Sequence, residues 1–210
     1  MAISNYSELQ AAILAFNWAR DSGSVTDFIA LAHARINLGL RAPFMEKTAD
    51  LTINSYRVAA PSDFVAVKRL WIDDSIDTPL RVTAAERVAY LRATYSSGQR
   101  PQWFAVEGDT SGEQFVFAPD PGATTYTGKL LYKRRLDALS GATDTNVVLT
   151  RYPNLYVYGA LAEAAAYADD PERLQTYQPK FEGMLEQVNR QSMMDAYSGS
   201  ALAPNSPYAV

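Results

Sequence analysis

The sequence predicts an α+β protein: a helical bundle formed by the N- and C-terminal segments, with a small antiparallel β lobe inserted between them. Three observations carry this expectation. Apolar residues recur at helical spacing before Pro43 and again after Asn154. The stretch between them is instead rich in β-branched and aromatic residues, punctuated by Gly, Pro and Asp. At 210 residues, 48% hydrophobic and 20% charged, the chain also has ample material for a core. The expected boundaries are residues 1–45 and 145–190 for the bundle, 46–144 for the lobe, and 191–210 for a flexible tail.

The first helix begins after Asn5 or Ser7, either of which can cap free backbone N–H groups, and Leu9, Ile13 and Phe16 mark its apolar face. A second helix spans about Thr26 to Leu40. Ile29, Ala32 and Ile36 form one stripe, with Phe28, Leu31 and Leu38 beside it, and so wide an apolar face predicts contact with more than one neighbour. Thr48 to Val58 favours extended structure, Pro61-Ser62-Asp63 marks a turn, and Phe64 to Ile72 reads as a strand. Thr83 to Tyr95 reads as a short helix, with Thr83 as cap and Glu86 completing a capping box. Strands are then expected at Trp103 to Glu107, Gln114 to Ala118 and Thr127 to Arg134.

Asn154 to Asp169 reads as a helix that is apolar around most of its circumference, and Gly159, Ala162 and Ala166 permit close backbone approach. The last helix begins near Pro171 and carries the stripe Leu174, Tyr177, Phe181, Met184, Val188. Pro179 lies inside that stripe and predicts a kink or a break. Beyond Gln191 no period remains.

The residues that chemistry would need are scarce. Without cysteine there are no disulfides, thiolate nucleophiles or Cys-based metal sites. His33 is the single histidine; it falls within a helix and reads as a surface or boundary residue. Asp73-Asp74 reads as a hairpin turn, and Asp77 beside it completes no EF-hand spacing. Asp169-Asp170 reads as a helix end followed by the cap of the next helix. No phosphate-cradling glycine motif or nucleophile elbow occurs. The expectation is therefore no catalytic residue, no metal and no cofactor. The N-terminus shows no signal-peptide pattern, and no apolar run approaches the ~20 residues needed to span a bilayer.

Two features point towards binding instead. Lys133, Arg134 and Arg135 end a strand; they can guard the edge of a sheet, or contact an acidic partner or DNA phosphate. Trp71, Trp103 and Phe104 can be core residues or stacking platforms for bases or sugars. The net charge of −4 argues against a sequence-independent grip on nucleic acid.

Four stretches carry a resemblance. They are DFIALAHARIN from Asp27 to Asn37, Pro61-Ser62-Asp63-Phe64, LLYKRR from Leu130 to Arg135, and YPNLYVYGAL from Tyr152 to Leu161. In order and spacing, from about Ile3 to Asn189, they resemble the head-to-tail adaptor proteins of tailed bacteriophages, above all the short-tailed group that includes the tail tubular protein A type. Pro179 and the C-terminal tail depart from that pattern. The resemblance implies a virion protein, made in the host cytoplasm, that joins the neck. Copies would form a ring, twelve to match the portal protein, and present a surface to the tail nozzle protein. DNA would pass through the ring's channel during ejection without specific binding. Tyr197, Leu202, Pro204 and Tyr208 are the candidate portal-binding residues of the tail, and Lys133, Arg134 and Arg135 the candidate charged contact. The competing expectation is a carbohydrate- or nucleic-acid-binding module using the strand-rich lobe. A hydrolase would need His33 gathered with an acid and a hydroxyl.

Overall fold

A computed structural model describes residues 3–16, 22–74, 79–110 and 112–197. Two compact units form. One comprises residues 1–45 and 136–210, the other residues 46–135.

In the helical unit, α1 (Tyr6–Leu14) starts at Asn5, whose side chain accepts the Glu8 backbone N–H at 2.9 Å, while the Glu8 carboxylate accepts the Ser4 N–H at 2.7 Å. Helix α2 (Ser22–Gly39) ends against Asn189, which donates to the Gly39 carbonyl and accepts from the Arg41 N–H, so one side chain satisfies both groups. A 3₁₀ turn covers Pro43–Met45. After residue 135 the chain returns through α4 (Val147–Arg151), capped by Asn146, into α5 (Pro153–Tyr167). The last helix, α6, runs over Pro171–Tyr197. Its core gathers Leu9, Ile13, Ile29, Ala32, Ile36, Leu155, Tyr156, Ala160, Leu161 and Phe181. Gly159 lies at the tightest crossing: a Cβ there would come within 3.0 Å of the Ala32 Cβ and 3.1 Å of the Phe181 ring.

The strand-rich unit holds β1 (Glu46–Ile53), β2 (Arg57–Ala59), β3 (Phe64–Ile72), β4 (Arg81–Val82), α3 (Ala85–Thr94), β5 (Trp103–Asp109), β6 (Gly112–Ala118) and β7 (Tyr126–Arg134). One sheet has the order β1-β7-β3, the other β2-β6-β5-β4. They share a core of Leu51, Ile53, Phe64, Leu70, Phe104, Phe115, Phe117, Leu130 and Tyr132. Alternate residues of β5 and β6, namely Ala105, Val116 and Ala118, face the opposite way and pack under Val88 and Leu91 of α3. The unit is thus layered as sheet, sheet and helix.

The structure corrects several expectations. The lobe contains two sheets, and β4 pairs parallel with β5, because α3 carries the chain back to the same end before β5 begins. Thr83 does not cap α3. Its N–H instead extends the β4 pairing to the Phe104 carbonyl at 2.9 Å, and the cap position falls on Ala84. The return crossing falls at Arg135/Leu136, not at 144/145. Leu136 is buried with the helices and donates its N–H to Asn37 Oδ1, and the segment up to Asp144 accepts backbone bonds from Tyr6 and Ser7. Pro179 does not break α6, whose stripe of Tyr177, Phe181, Met184, Leu185 and Val188 is held by the helical core on both sides of it. The same helix continues past Gln191 to Tyr197, which shortens the expected tail.

Candidate functional site

The four stretches singled out in the sequence meet in two pairs, one in each unit. In the helical unit, DFIALAHARIN of α2 packs on YPNLYVYGAL of α5. His33 Nδ1 lies 2.8 Å from the Tyr156 hydroxyl, which also accepts from Asn146 Nδ2 at 2.9 Å. The hydroxyl proton is therefore free for His33 Nδ1, leaving the ring N–H on Nε2. Asn146 is itself fully used: its Nδ2 also donates to the Asp137 carbonyl, and its Oδ1 accepts the Val148 and Leu149 N–H groups. Burial pushes the Tyr156 hydroxyl up to about 12 against the lowering Asn146 bond. Burial holds His33 below its ordinary value, opposed by a backbone hydrogen bond to Leu136 and the charge of Asp137. Two residues on, Arg35 pairs with Glu163 at 2.7 Å and lies 4.6 Å over the Phe181 ring.

In the strand-rich unit, the PSDF turn meets LLYKRR. Asp63 accepts from the Tyr132 hydroxyl at 2.6 Å and from Lys47 Nζ at 2.8 Å, and its carbonyl accepts the Arg135 N–H at 2.7 Å. Burial alone would raise the Asp63 carboxyl; the Lys47 and Tyr132 bonds outweigh it and hold the group below its ordinary value. Phe64 packs on Tyr132 with ring centroids 5.8 Å apart. Both clusters bind one part of the scaffold to another. Neither leaves a nucleophile and a base facing a cleft.

The remaining candidates separate. Lys133 and Arg134 close β7 opposite Glu46 and Phe64, and Arg135 lies 3.6 Å from Glu113. Successive strand residues face opposite ways, so Lys133 and Arg134 do not share a face. Phe104 is a core residue, Trp103 stacks on Tyr95 at 5.6 Å, and the Arg69 guanidinium covers Trp71 at 4.7 Å. Asp74 binds Arg100 and Asp73 lies 3.6 Å from Lys129, so the two carboxylates diverge; Asp77 lies outside the described residues. Asp169 adopts φ 51°, a left-handed C-terminal cap of α5, and Asp170 Oδ1 accepts the Arg173 N–H at the start of α6. No cluster of metal-ligating side chains occurs among the described residues, and no described helix is long and apolar enough to cross a membrane. Tyr197 is the last described residue, with its side chain outside the description; Leu202, Pro204 and Tyr208 lie beyond it.

Two surfaces of the helical unit stand out. The outward face of α2 carries Ala30, Leu31, Ala34 and Leu38, with Leu31 51% and Leu38 86% exposed, and no charge between Asp27 and Arg41 at its exposed positions. The wide apolar face of this helix was visible in its spacing, but not which side would stay uncovered. Near the start of α5, a hollow of about 200 Å³ is lined by Arg151, Tyr152, Pro153, Met184, Val188 and Gln191, among others. A second hollow adjoins it across Arg151 and Tyr152 and reaches Phe44 and Asp195. Nothing in the sequence pattern marks these hollows, because their walls come from segments far apart in the chain.

A family model described as SU10 adaptor protein matches residues 4–206. No curated protein matches the chain.

Proposed function

This chain belongs to the SU10 adaptor protein family, a family of structural phage adaptors and not of enzymes, and from that premise we propose that it is the head-to-tail adaptor of a virion neck. Copies form a ring beneath the portal protein, twelve to match it, extend the DNA channel, and offer the tail nozzle protein a docking surface. The protein is made in the host cytoplasm and joins the neck during assembly. The observation that carries this reading is the family match, which spans nearly the whole chain and both units.

Physical features support it. The polar chemistry of the two clusters is spent on holding elements together, which suits a subunit whose surface does the work. The net charge of −4 suits a channel through which DNA slides without sticking. Residues 198–210, with Leu202, Pro204 and Tyr208, serve as the portal-binding tail, and Lys133, Arg134 and Arg135 as a charged contact.

Mixing the chain with its cognate portal protein tests the reading directly. Light scattering and negative-stain microscopy should show rings on the portal, and failure to co-migrate would sink it. Deleting Ser198–Val210 leaves α6 whole. It should weaken portal binding with the melting temperature unchanged, whereas undiminished affinity would remove that role from the tail.

A further inference from the structure

We propose that His33 is an acid-operated clasp: on taking up a second ring proton it lets go of the Tyr156–Asn146 pair and frees the segment 137–145 together with the first turn of α1. The proposal stands independently of the adaptor reading. His33 is the only histidine in the chain. Its Nδ1 sits 2.8 Å from the Tyr156 hydroxyl on α5, and a backbone hydrogen bond joins the ring to Leu136. The hydroxyl accepts from the Asn146 amide, which also donates to the Asp137 carbonyl, so both ends of the segment are tied to the ring. The segment in turn holds α1. The Tyr6 N–H donates to the Asp144 carbonyl at 2.9 Å, and the Ser7 N–H to the Ala142 carbonyl at 3.0 Å. These are donors of a helix's first turn, for which the helix itself has no acceptor.

With a neutral ring each proton has its acceptor: the hydroxyl gives to Nδ1 and receives from Asn146. A protonated ring has two N–H donors and no acceptor. Nδ1–H and Asn146 Nδ2–H then both point at the Tyr156 oxygen, whose own proton loses its partner. Tyr156 has no exposed surface and Asn146 only 6%, so water relieves the conflict only if something moves. The segment is the part that yields, since α2 and α5 are core helices while most of residues 137–145 are exposed. Among the described titratable groups, Tyr156 faces the ring from α5 and the Asp137 carboxylate acts on it from the segment; Arg35 and Glu163, on the same two helices, pair with each other. Burial holds the closed ring below its ordinary value of 6.5. An open segment returns it to water, so the open state takes the proton more readily and opening rises as pH falls below that value.

Hydrogen exchange of the full chain at about pH 7.5 and about pH 5.5, corrected for the intrinsic effect of pH, tests the clasp. Peptides 136–146 and 3–9 should lose protection about three- to tenfold at the lower pH, the ceiling being one proton taken up over one unit below 6.5. Peptide 181–190 of α6 should hold. In His33→Gln the side chain stays uncharged and the loss should vanish. An equal loss in both chains, or one shared by peptide 181–190, would overturn the proposal. Because the histidine is single, its ring signal in NMR follows the same event in the unaltered protein. The signal's midpoint should lie below 6.5 and coincide with the loss of protection; a midpoint at or above that value, or one that exchange does not follow, would equally overturn it. Asp137→Asn, at an exposed position, removes the attracting charge and should move both midpoints to lower pH together. Movement of only one would break the link between ring and segment.

Discussion

Asp63 accepts hydrogen bonds from Lys47 and from the hydroxyl of Tyr132, a residue with no exposed surface. Asp63→Ala strands that hydroxyl in the core, and leaving a buried donor unpaired costs about 1–3 kcal/mol. Tyr132→Phe removes the donor itself and should cost less, about 1 kcal/mol. Urea unfolding of the two variants gives the order, and a smaller loss for Asp63→Ala would show that water satisfies the hydroxyl. His33 makes a separate statement about pH. Its ordinary value is 6.5, and burial lowers it in the folded chain. Between those two values the unfolded chain binds the extra proton, so stability rises with pH there. The contribution is complete above the unfolded value and lost as pH falls through the folded one. Between about pH 7.5 and about pH 5.5, wild-type stability should therefore fall more steeply than that of His33→Gln. Parallel slopes would show that the Tyr156–His33 contact does not discriminate between protonation states.

At the scale of elements, α6 keeps a proline in its interior because tertiary packing compensates for the lost backbone bond. Pro179 itself is exposed, while Phe181 and Val188 further along are buried at 2% and 3% exposure. Pro179→Ala restores the missing N–H donor without disturbing the core, and should stabilise the helical unit by about 1–3 kcal/mol. Thermal unfolding followed by helical circular dichroism reads this; an unchanged midpoint would mean that the helix has already relaxed around the ring. The β4–α3–β5 segment shows a different dependence on context. The capping pattern around Thr83 is locally plausible, yet its N–H goes to the Phe104 carbonyl because the parallel pairing claims it first. A ladder bond to an adjacent strand outweighs a cap that begins a helix one residue early.

For the whole molecule, the two units have separate cores and the chain crosses between them at Met45/Glu46 and Arg135/Leu136. The crossings are neighbours in space, since Glu46 pairs with Lys133 across β1 and β7. Replacing residues 46–135 by a short Gly-Ser linker should therefore leave a helical unit that folds cooperatively by itself. A molten product without a cooperative melt would show that the units depend on each other for stability. For an adaptor, independent cores would allow the helical unit to carry one set of contacts and the strand-rich unit another.

The sequence by itself determined the helical ends, the strand-rich middle, the poverty of catalytic groups and the resemblance that the family match bears out. Local signals suffice for these: Asn5 caps α1, and Val65 to Ile72 favour a strand, through neighbours only a few residues away. It also showed that α2 is apolar on more than one side. Only the tertiary structure decided which side is covered, that DFIALAHARIN meets YPNLYVYGAL through His33 and Tyr156, and that β4 runs parallel to β5. Those outcomes depend on residues far apart in the chain, from Arg81 and Trp103 to His33 and Tyr156, competing for the same hydrogen bonds and the same buried space, and periodicity within one segment carries no record of that competition.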